Sequence, residues 1–398
     1  PTRRSSDLVL KIAGLEGGWG TAHWEELAER FEAAHPGVTV ELTIERNIAD
    51  VLRPQIIAGM YPDVIYLSVN AVGGLTDTLI KEEVILDITD FLDMEVPGEG
   101  VKVRDKIIPG FTDTLITNPY GDGKTYLAPL FYSPCGLFYN ADLFGEGKYA
   151  LPQTWEEFFA LGETAKDDGI ALFTYPTAGY FDAFFYALLN VVGGPELFNR
   201  AMNYDVEAWS SPEATRVFEL VGDLAQYVLF IPNGTWLPNE MADAPRAPGF
   251  EWGFTALPKL TDDGDAYSYT FFEQMYIPEG AKEVELAKEF MAFMYSDEAA
   301  EIIYANCGAV QPIVGGSDLL PNDDANKLYY TIYDTGAKAA MGGFAAAPPV
   351  PGVVLAAGGE DILFGTVNSV VNGDTTVAQW QMDVIEAVGK IKAAMDAQ

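Results

Sequence analysis

Basic residues are scarce in this chain, and that shortage excludes more than any single motif admits. Lys and Arg number 23 against 59 Asp and Glu, a formal net charge of −36. Such a field repels phosphate backbones and anionic lipid head groups, so no nucleic-acid partner and no peripheral membrane binding is expected. An anionic ligand is disfavoured and a neutral one fits better, although simple solubility accounts for most of the charge. Cysteine is nearly absent. Cys135 and Cys307 cannot build a disulfide framework or a paired-cysteine metal site, and both are expected to be free thiols. The only imidazoles are His23 and His35, and neither has a Cys or a second His at ligand spacing. Structural or surface roles are expected for them, with no metal and no cofactor. No stretch approaches the roughly 20 consecutive apolar residues of a membrane span. The polar opening PTRRSSD differs in character from the rest of the chain, has no secretory pattern and is set aside from the fold reading.

What is present is ordinary in bulk and specific in order. The 398 residues suffice for two domains with cores of their own. The aromatic share of 13 % leaves rings beyond those a core needs, and these are candidates for a binding cleft. Leu8–Ala13 is a short apolar run with strand character, followed by the glycine-rich loop Gly14–Gly20. Trp24, Leu27, Ala28 and Phe31 then fall on one helical face, with Thr21 placed to cap it and Pro36-Gly37 to stop it. Val38, Val40, Leu42 and Ile44 alternate as in a strand, and Val64–Leu67 forms a third run. This β-α-β-α-β order predicts an α/β fold with a mainly parallel sheet covered by helices on both faces.

A second α/β region comes next. Tyr126–Tyr132 and Gly136–Tyr139 read as two strands, and Trp155–Lys166 as a helix whose capping box is Thr154 with Glu157. Ile170–Tyr175 reads as a strand, Phe181–Val192 as an apolar helix, Ala256–Tyr276 as strand-like and Lys282–Met294 as a helix. Ala337–Gly359, rich in Ala, Gly and Pro, reads as a connecting loop. Thr376–Met395 places Val377, Trp380, Val384, Val388, Ile391 and Met395 on one stripe of a long terminal helix.

These segments resemble, in the same order along essentially the whole chain, the solute-binding proteins of carbohydrate ABC importers, the extracellular family that includes maltose-binding protein. The resemblance rests on Trp24–Phe31 followed by His35-Pro36-Gly37-Val38-Thr39-Val40, on Gly59–Val64, and on Tyr126–Pro129 with Gly136–Asn140 and Leu143-Phe144. It continues through Pro152–Phe158 and through Ile277-Pro278 with Ala287–Phe290. Phe230–Met241 and Gly365–Gly373 are similar to the subgroup associated with N-acetylglucosamine and chitobiose-type ligands. The resemblance implies a type II periplasmic-binding-protein fold of two lobes, each a mainly parallel sheet flanked by helices, with a ligand cleft between them. The expected division is 8–128 and 269–312 for the first lobe, 129–268 for the second, and 313–398 as a helical segment packed mainly on the second. It also implies an extracytoplasmic location, in the periplasm or as a membrane-anchored lipoprotein with its signal segment outside this chain. The implied partners are a carbohydrate and the transmembrane permease subunits of the importer, met as a monomer. The chain departs from the pattern at one place. Gly222–Val228 runs straight into Leu229–Ile231, so a helix the family places before this strand is missing.

A neutral sugar presents C–H-rich faces and a rim of hydroxyls, so its site needs flat aromatic rings beside carboxylates and amides. In open α/β sheets that site lies beyond the carboxyl ends of the strands. Glu16 and Trp19 lie in the loop after the first strand, between glycines that let backbone approach a ligand. Asn70 follows Val64–Leu67 and reads equally as a turn former. Tyr132 stands at the first crossover, and Tyr180 and Asp182 precede a helix that Asp182 could equally cap. Trp236, in the loop Gly234-Thr235-Trp236, is the strongest single ligand platform. Phe272 and Glu273 occupy the return crossover, where Phe272 also suits a core. Trp24, on the helix stripe, is assigned to the core.

No residue is assigned a catalytic role. A glycoside hydrolase needs only two carboxylates at the right separation and stays as the alternative, with a cell-surface glycan adhesin as a third class. The chain has no G-x-S-x-G elbow, H-E-x-x-H helix, Walker loop or G-x-G-x-x-G after its first strand.

Overall fold

The computed structural model describes residues 8–69, 71, 73–112, 114–144, 148–168, 172–173, 181–224, 229–234, 237, 250–322, 324, 326–345, 347–356 and 361–397. The chain divides into two compact units, Pro1–Tyr132 with Phe272–Asn322 and Ser133–Phe271 with Asp323–Gln398. The last passage between units falls ten residues beyond the expected 312/313. Residues 312–314 stay with the first unit because Ile313 bridges Ile107, and the Val314 N–H donates to the Lys106 carbonyl at 2.8 Å.

Nine strands are described: β1 Leu8–Leu15, β2 Val38–Glu45, β3 Val64–Tyr66, β4 Ala128–Asn140, β5 Leu172–Phe173, β6 Leu229–Gly234, β7 Trp252–Thr255, β8 Tyr267–Tyr276 and β9 Lys338–Ala340. In the first unit β1 is central, parallel to β2 and β3, with Ile12 opposite both Leu42 and Val64. The end of β8 joins antiparallel to β3, placing Tyr276 opposite Ile65. Helix Ala22–Ala34 buries the four stripe residues and also His23. Thr21 holds the N-cap position, but its hydroxyl makes no capping bond.

Asp63 explains why the step from helix to β3 carries an acid. Its buried carboxylate accepts the Lys11 N–H of β1 at 2.8 Å and the Lys282 and Glu283 N–H groups at 2.9 and 3.0 Å. One side chain thereby ties the sheet to the start of helix Val284–Phe293, meeting donors a helix start leaves free. The carboxylate also suits the positive end of that helix.

The second unit pairs β5 parallel with β6, while β4 runs antiparallel to both β6 and β7, and β9 is parallel to β8. Helix Phe181–Met202 is its centre and bends at Gly194, whose φ of 67° falls in the left-handed region just before Pro195. Helix Trp155–Asp167 carries the Thr154–Glu157 capping box. Helix Val377–Asp396 is capped by Thr376 and contacts helices Val206–Trp209 and Pro212–Leu224. Only four residues, 225–228, separate that last helix from β6.

Two readings are corrected. The two strands at 126–139 are one strand, β4. Pro134 removes a donor but shares the φ of extended backbone, so it does not break the run. Tyr126 and Leu127 precede it, their N–H groups bonded to the Thr117 carbonyl. The loop at 337–359 contains β9, a three-residue strand of Lys and Ala held by register with Tyr267–Tyr269, for which the sequence carries no alternation to read.

Candidate functional site

In the first unit the chain gathers aromatic rings around one carboxyl. Glu273 is on β8, and its Oε2 accepts the hydroxyl of Tyr66, the last residue of β3. The Trp19 indole lies near enough to the same carboxyl to favour its charged form. Burial pushes Glu273 up to about 7, while the neighbouring indole acts the other way. The half-buried Trp19 ring packs at 6.0 Å on Phe131, which also meets Tyr66 at 5.8 Å and His23 at 5.7 Å. Trp24 lies behind Tyr66 at 5.2 Å, fully buried as core. Gly14 makes room for this arrangement, since a Cβ there would stand 2.9 Å from the Tyr66 ring.

His23 is 1 % exposed, and neither ring nitrogen has a hydrogen-bond partner. Burial holds it down at about 4, so it is neutral at physiological pH. Beside Glu273, Gln274 fastens the loop after β3: its Oε1 accepts the Val69 N–H at 3.0 Å. Glu16 lies at the end of β1, where it pairs with exposed Arg46 at 3.3 Å. Tyr132 is 2 % exposed and edge-on to Phe111 at 5.4 Å, while Phe272 is buried on the same ring at 6.3 Å. Both rings are thus buried against Phe111 within this unit. Cys307 is free, its thiol donating to the Ile303 carbonyl at 3.1 Å.

The second unit has a polar group of its own. Asp182 stands in the first turn of helix Phe181–Met202, its Oδ1 accepting the Ala183 N–H at 2.8 Å. Burial pushes the carboxyl up, and the like charge of Asp361 adds to this. Asp361 itself accepts the Phe364 and Gly365 N–H groups at 2.5 and 3.1 Å. Tyr186, one turn along the helix, packs on Tyr269 at 5.5 Å and Phe364 at 5.8 Å, and the Tyr269 hydroxyl donates to the Gly342 carbonyl at 2.7 Å. The free thiol of Cys135 is raised by burial and by Asp182.

Asn70, Tyr180 and Trp236 lie outside the described residues. Of the others, Trp19 and Glu273 meet in one cluster and Asp182 stands at its helix start. Tyr66, Phe131 and Tyr186 were not anticipated. Tyr66 ends an apolar strand and could have been read as a site residue from that place alone. Phe131 and Tyr186 lie within apolar runs that give no such hint. Among the described residues no three His, Cys, Asp or Glu side chains group as metal ligands, and no helix is long and apolar enough to cross a membrane.

Comparison with known proteins places the chain in a family. A family model for bacterial extracellular solute-binding proteins matches residues 17–301. The chain is 24 % identical over 337 residues to the diacetylchitobiose binding protein NgcE of Streptomyces coelicolor, covering 75 % of this chain and 68 % of that one. Among solved structures, the bacterial solute receptor AcbH, described as preferring β-D-galactopyranose, superposes with a TM-score of 0.70 at 17 % identity, covering 97 % of this chain and all of that one. A chitin oligosaccharide binding protein does so with a TM-score of 0.61 at 18 % identity, over 98 % and 100 % of the two chains.

Proposed function

Because the chain belongs to the bacterial extracellular solute-binding proteins, we propose that it is the extracytoplasmic sugar-binding component of an ABC importer. Its ligand is a neutral sugar or short oligosaccharide, with an N-acetylated amino sugar of the chitobiose type as the first candidate, as for its relative from Streptomyces coelicolor. The observation that carries this reading is the Trp19–Glu273–Tyr66 group, an indole near a buried carboxyl that accepts from the Tyr66 hydroxyl. Sugar stacking removes apolar area from ring and ligand together, and the carboxyl accepts hydroxyl or amide protons within a desolvated surround. Asp182 serves hydroxyls from the second unit, and Asn70, Tyr180 and Trp236 complete the set.

The protein delivers its ligand to the permease subunits as a monomer, held at the outer face of the membrane by a lipid anchor or free in a periplasm. It binds without turnover. Ligand drives hinge closure by making better contacts in the closed form than in the open one. A thermal-shift panel of mono- and oligosaccharides tests the reading, because a ligand of the native state alone raises the melting temperature by mass action. Diacetylchitobiose or a related neutral sugar should raise it, and small-angle scattering at saturation should show a smaller radius of gyration. No response to any sugar, or release of monosaccharide from diacetylchitobiose, would remove the transport reading.

A further inference from the structure

Strand β8 has ten residues, and all but one are buried or half-buried. Phe271 is the exception, 39 % exposed in a strand that otherwise serves the core. A lone exposed ring on a surface needs no explanation of its own. This one differs in its surroundings. Side chains alternate across a strand, and Ser268 and Thr270 turn to a closed face. There Ser268 donates to the Cys135 carbonyl at 2.8 Å, and Thr270 bonds the Tyr333 hydroxyl. Tyr269 and Phe271 share the other face, their rings 5.0 Å apart and nearly perpendicular at 84°.

The ring that braces Phe271 is itself fixed. Tyr269 is buried, and its backbone is in register with Ala340 of β9. Its hydroxyl donates to the Gly342 carbonyl at 2.7 Å, where φ is 122°, a backbone that glycine adopts without strain. Its ring lies 5.5 Å from Tyr186. Asp182, one turn before Tyr186 on helix Phe181–Met202, is close enough to both phenols to disfavour their ionisation. An exposed phenyl ring thus stands at the edge of a locked aromatic group that contains a carboxyl.

We propose that Phe271 is a sugar-stacking residue of the second unit, its ring taking the C–H face of one pyranose whose hydroxyl donates to Asp182. The assignment rests on the sugar-binding reading and adds to it a ring that reading does not use. A phenyl ring has no polar edge, so it favours the C–H face of a pyranose and leaves the hydroxyls to neighbouring groups. A ring braced on a strand is placed more closely than one on a loop, and it loses little freedom when ligand arrives. The carboxyls of Asp182 and Asp361 disfavour an anionic sugar, so the pyranose is neutral.

The test uses the full chain, with diacetylchitobiose as the probe in calorimetric titration. Phe271→Ala should lose about 10- to 100-fold in affinity, while its melting temperature without sugar falls by less than about 4 °C. Phe271→Leu, which keeps apolar volume but not the flat face, should lose nearly as much. Phe271→Trp should bind within about threefold of wild type. With ring-¹³C-phenylalanine, the signal that disappears in Phe271→Leu should show cross-relaxation to the C–H protons of the bound sugar. Wild-type affinity in Phe271→Leu, or a bound sugar without that cross-relaxation, would overturn the proposal and leave the sugar reading standing. Loss of stability with affinity kept in Phe271→Ala would overturn it too, by making the ring structural. A wild type that binds no sugar at all would remove both.

Discussion

Each unit of this molecule gathers aromatic rings, yet the two gatherings differ in what they enclose. In the second unit Phe185, Trp209, Phe218, Phe344, Phe364 and Trp380 pack on one another, some edge to face and some stacked. Their indoles bond to backbone, Trp209 to the Ala201 carbonyl and Trp380 to the Leu363 carbonyl, both at 3.0 Å. In the first unit Trp19, His23, Trp24, Tyr66 and Phe131 pack on one another, Tyr66 bonds the Glu273 carboxyl, and the Trp24 indole and both His23 nitrogens have no partner. Ring content does not separate core from site. The fate of the polar edges differs: both indoles of the second cluster bond to backbone, while the first holds a buried carboxyl with no Lys or Arg paired to it among the described residues.

The sharpest break of that comparison sets one tryptophan against the other. Trp380→Ala removes a fully buried ring and should cost about 3–5 kcal/mol of stability in denaturant unfolding. Trp19→Ala should instead cost roughly 2–4 kcal/mol in calorimetric sugar affinity, about 30- to 1,000-fold, with circular dichroism unchanged. Trp24→Phe should leave affinity nearly intact. If Trp19→Ala loses stability and keeps affinity, the two clusters are alike and the distinction fails.

Glu273 and His23 sharpen it through pH, with opposite signs. The folded state raises Glu273 from 4.5 to about 7, so it binds the proton more tightly than the unfolded chain does. That contribution is fully present below 4.5 and is lost as pH rises through 7. Glu273→Gln should therefore be more stable than wild type at about pH 8, by an amount on the order of 3 kcal/mol, with no such gain at about pH 4. His23 is lowered from 6.5 to about 4, so its contribution is present above 6.5 and lost as pH falls through 4. His23→Leu should flatten the acid limb of the stability curve by about 3 kcal/mol. Thermal unfolding across that range reads both. The smallest effect is expected at the rim. Arg46→Ala should change stability by less than about 0.5 kcal/mol, since its pair with Glu16 is largely exposed. A larger change would give Glu16 a structural role that it lacks in this reading.

Much of the architecture was legible because it is local. The stripe from Trp24 to Phe31, the Thr154–Glu157 box and the terminal helix behind Thr376 are set by helical period and by side chains that reach their own backbone. Trp19 and Glu273 could be named as candidates because one sits between glycines and the other on a crossover. Tyr132 was placed by the same rule and turned out to pack on Phe111, because a crossover has a buried side that period cannot reveal. β9 was missed because its pairing partner lies about 70 residues away and its own residues have no pattern.

The sequence by itself determined the α/β alternation, the acidic field that favours a neutral ligand, and the family motifs, since each depends on residues within a few turns of one another. The role of a buried acid was decided only in three dimensions. Asp63 and Glu273 are both carboxylates beside apolar strands. Asp63 meets three backbone N–H groups and becomes a structural clasp. Glu273 meets a phenol and an indole brought from β3 and from the loop after β1, more than 200 residues away in sequence. A carboxyl's charge state follows from how many donors reach it and how much water is kept out, and both are properties of the packed chain.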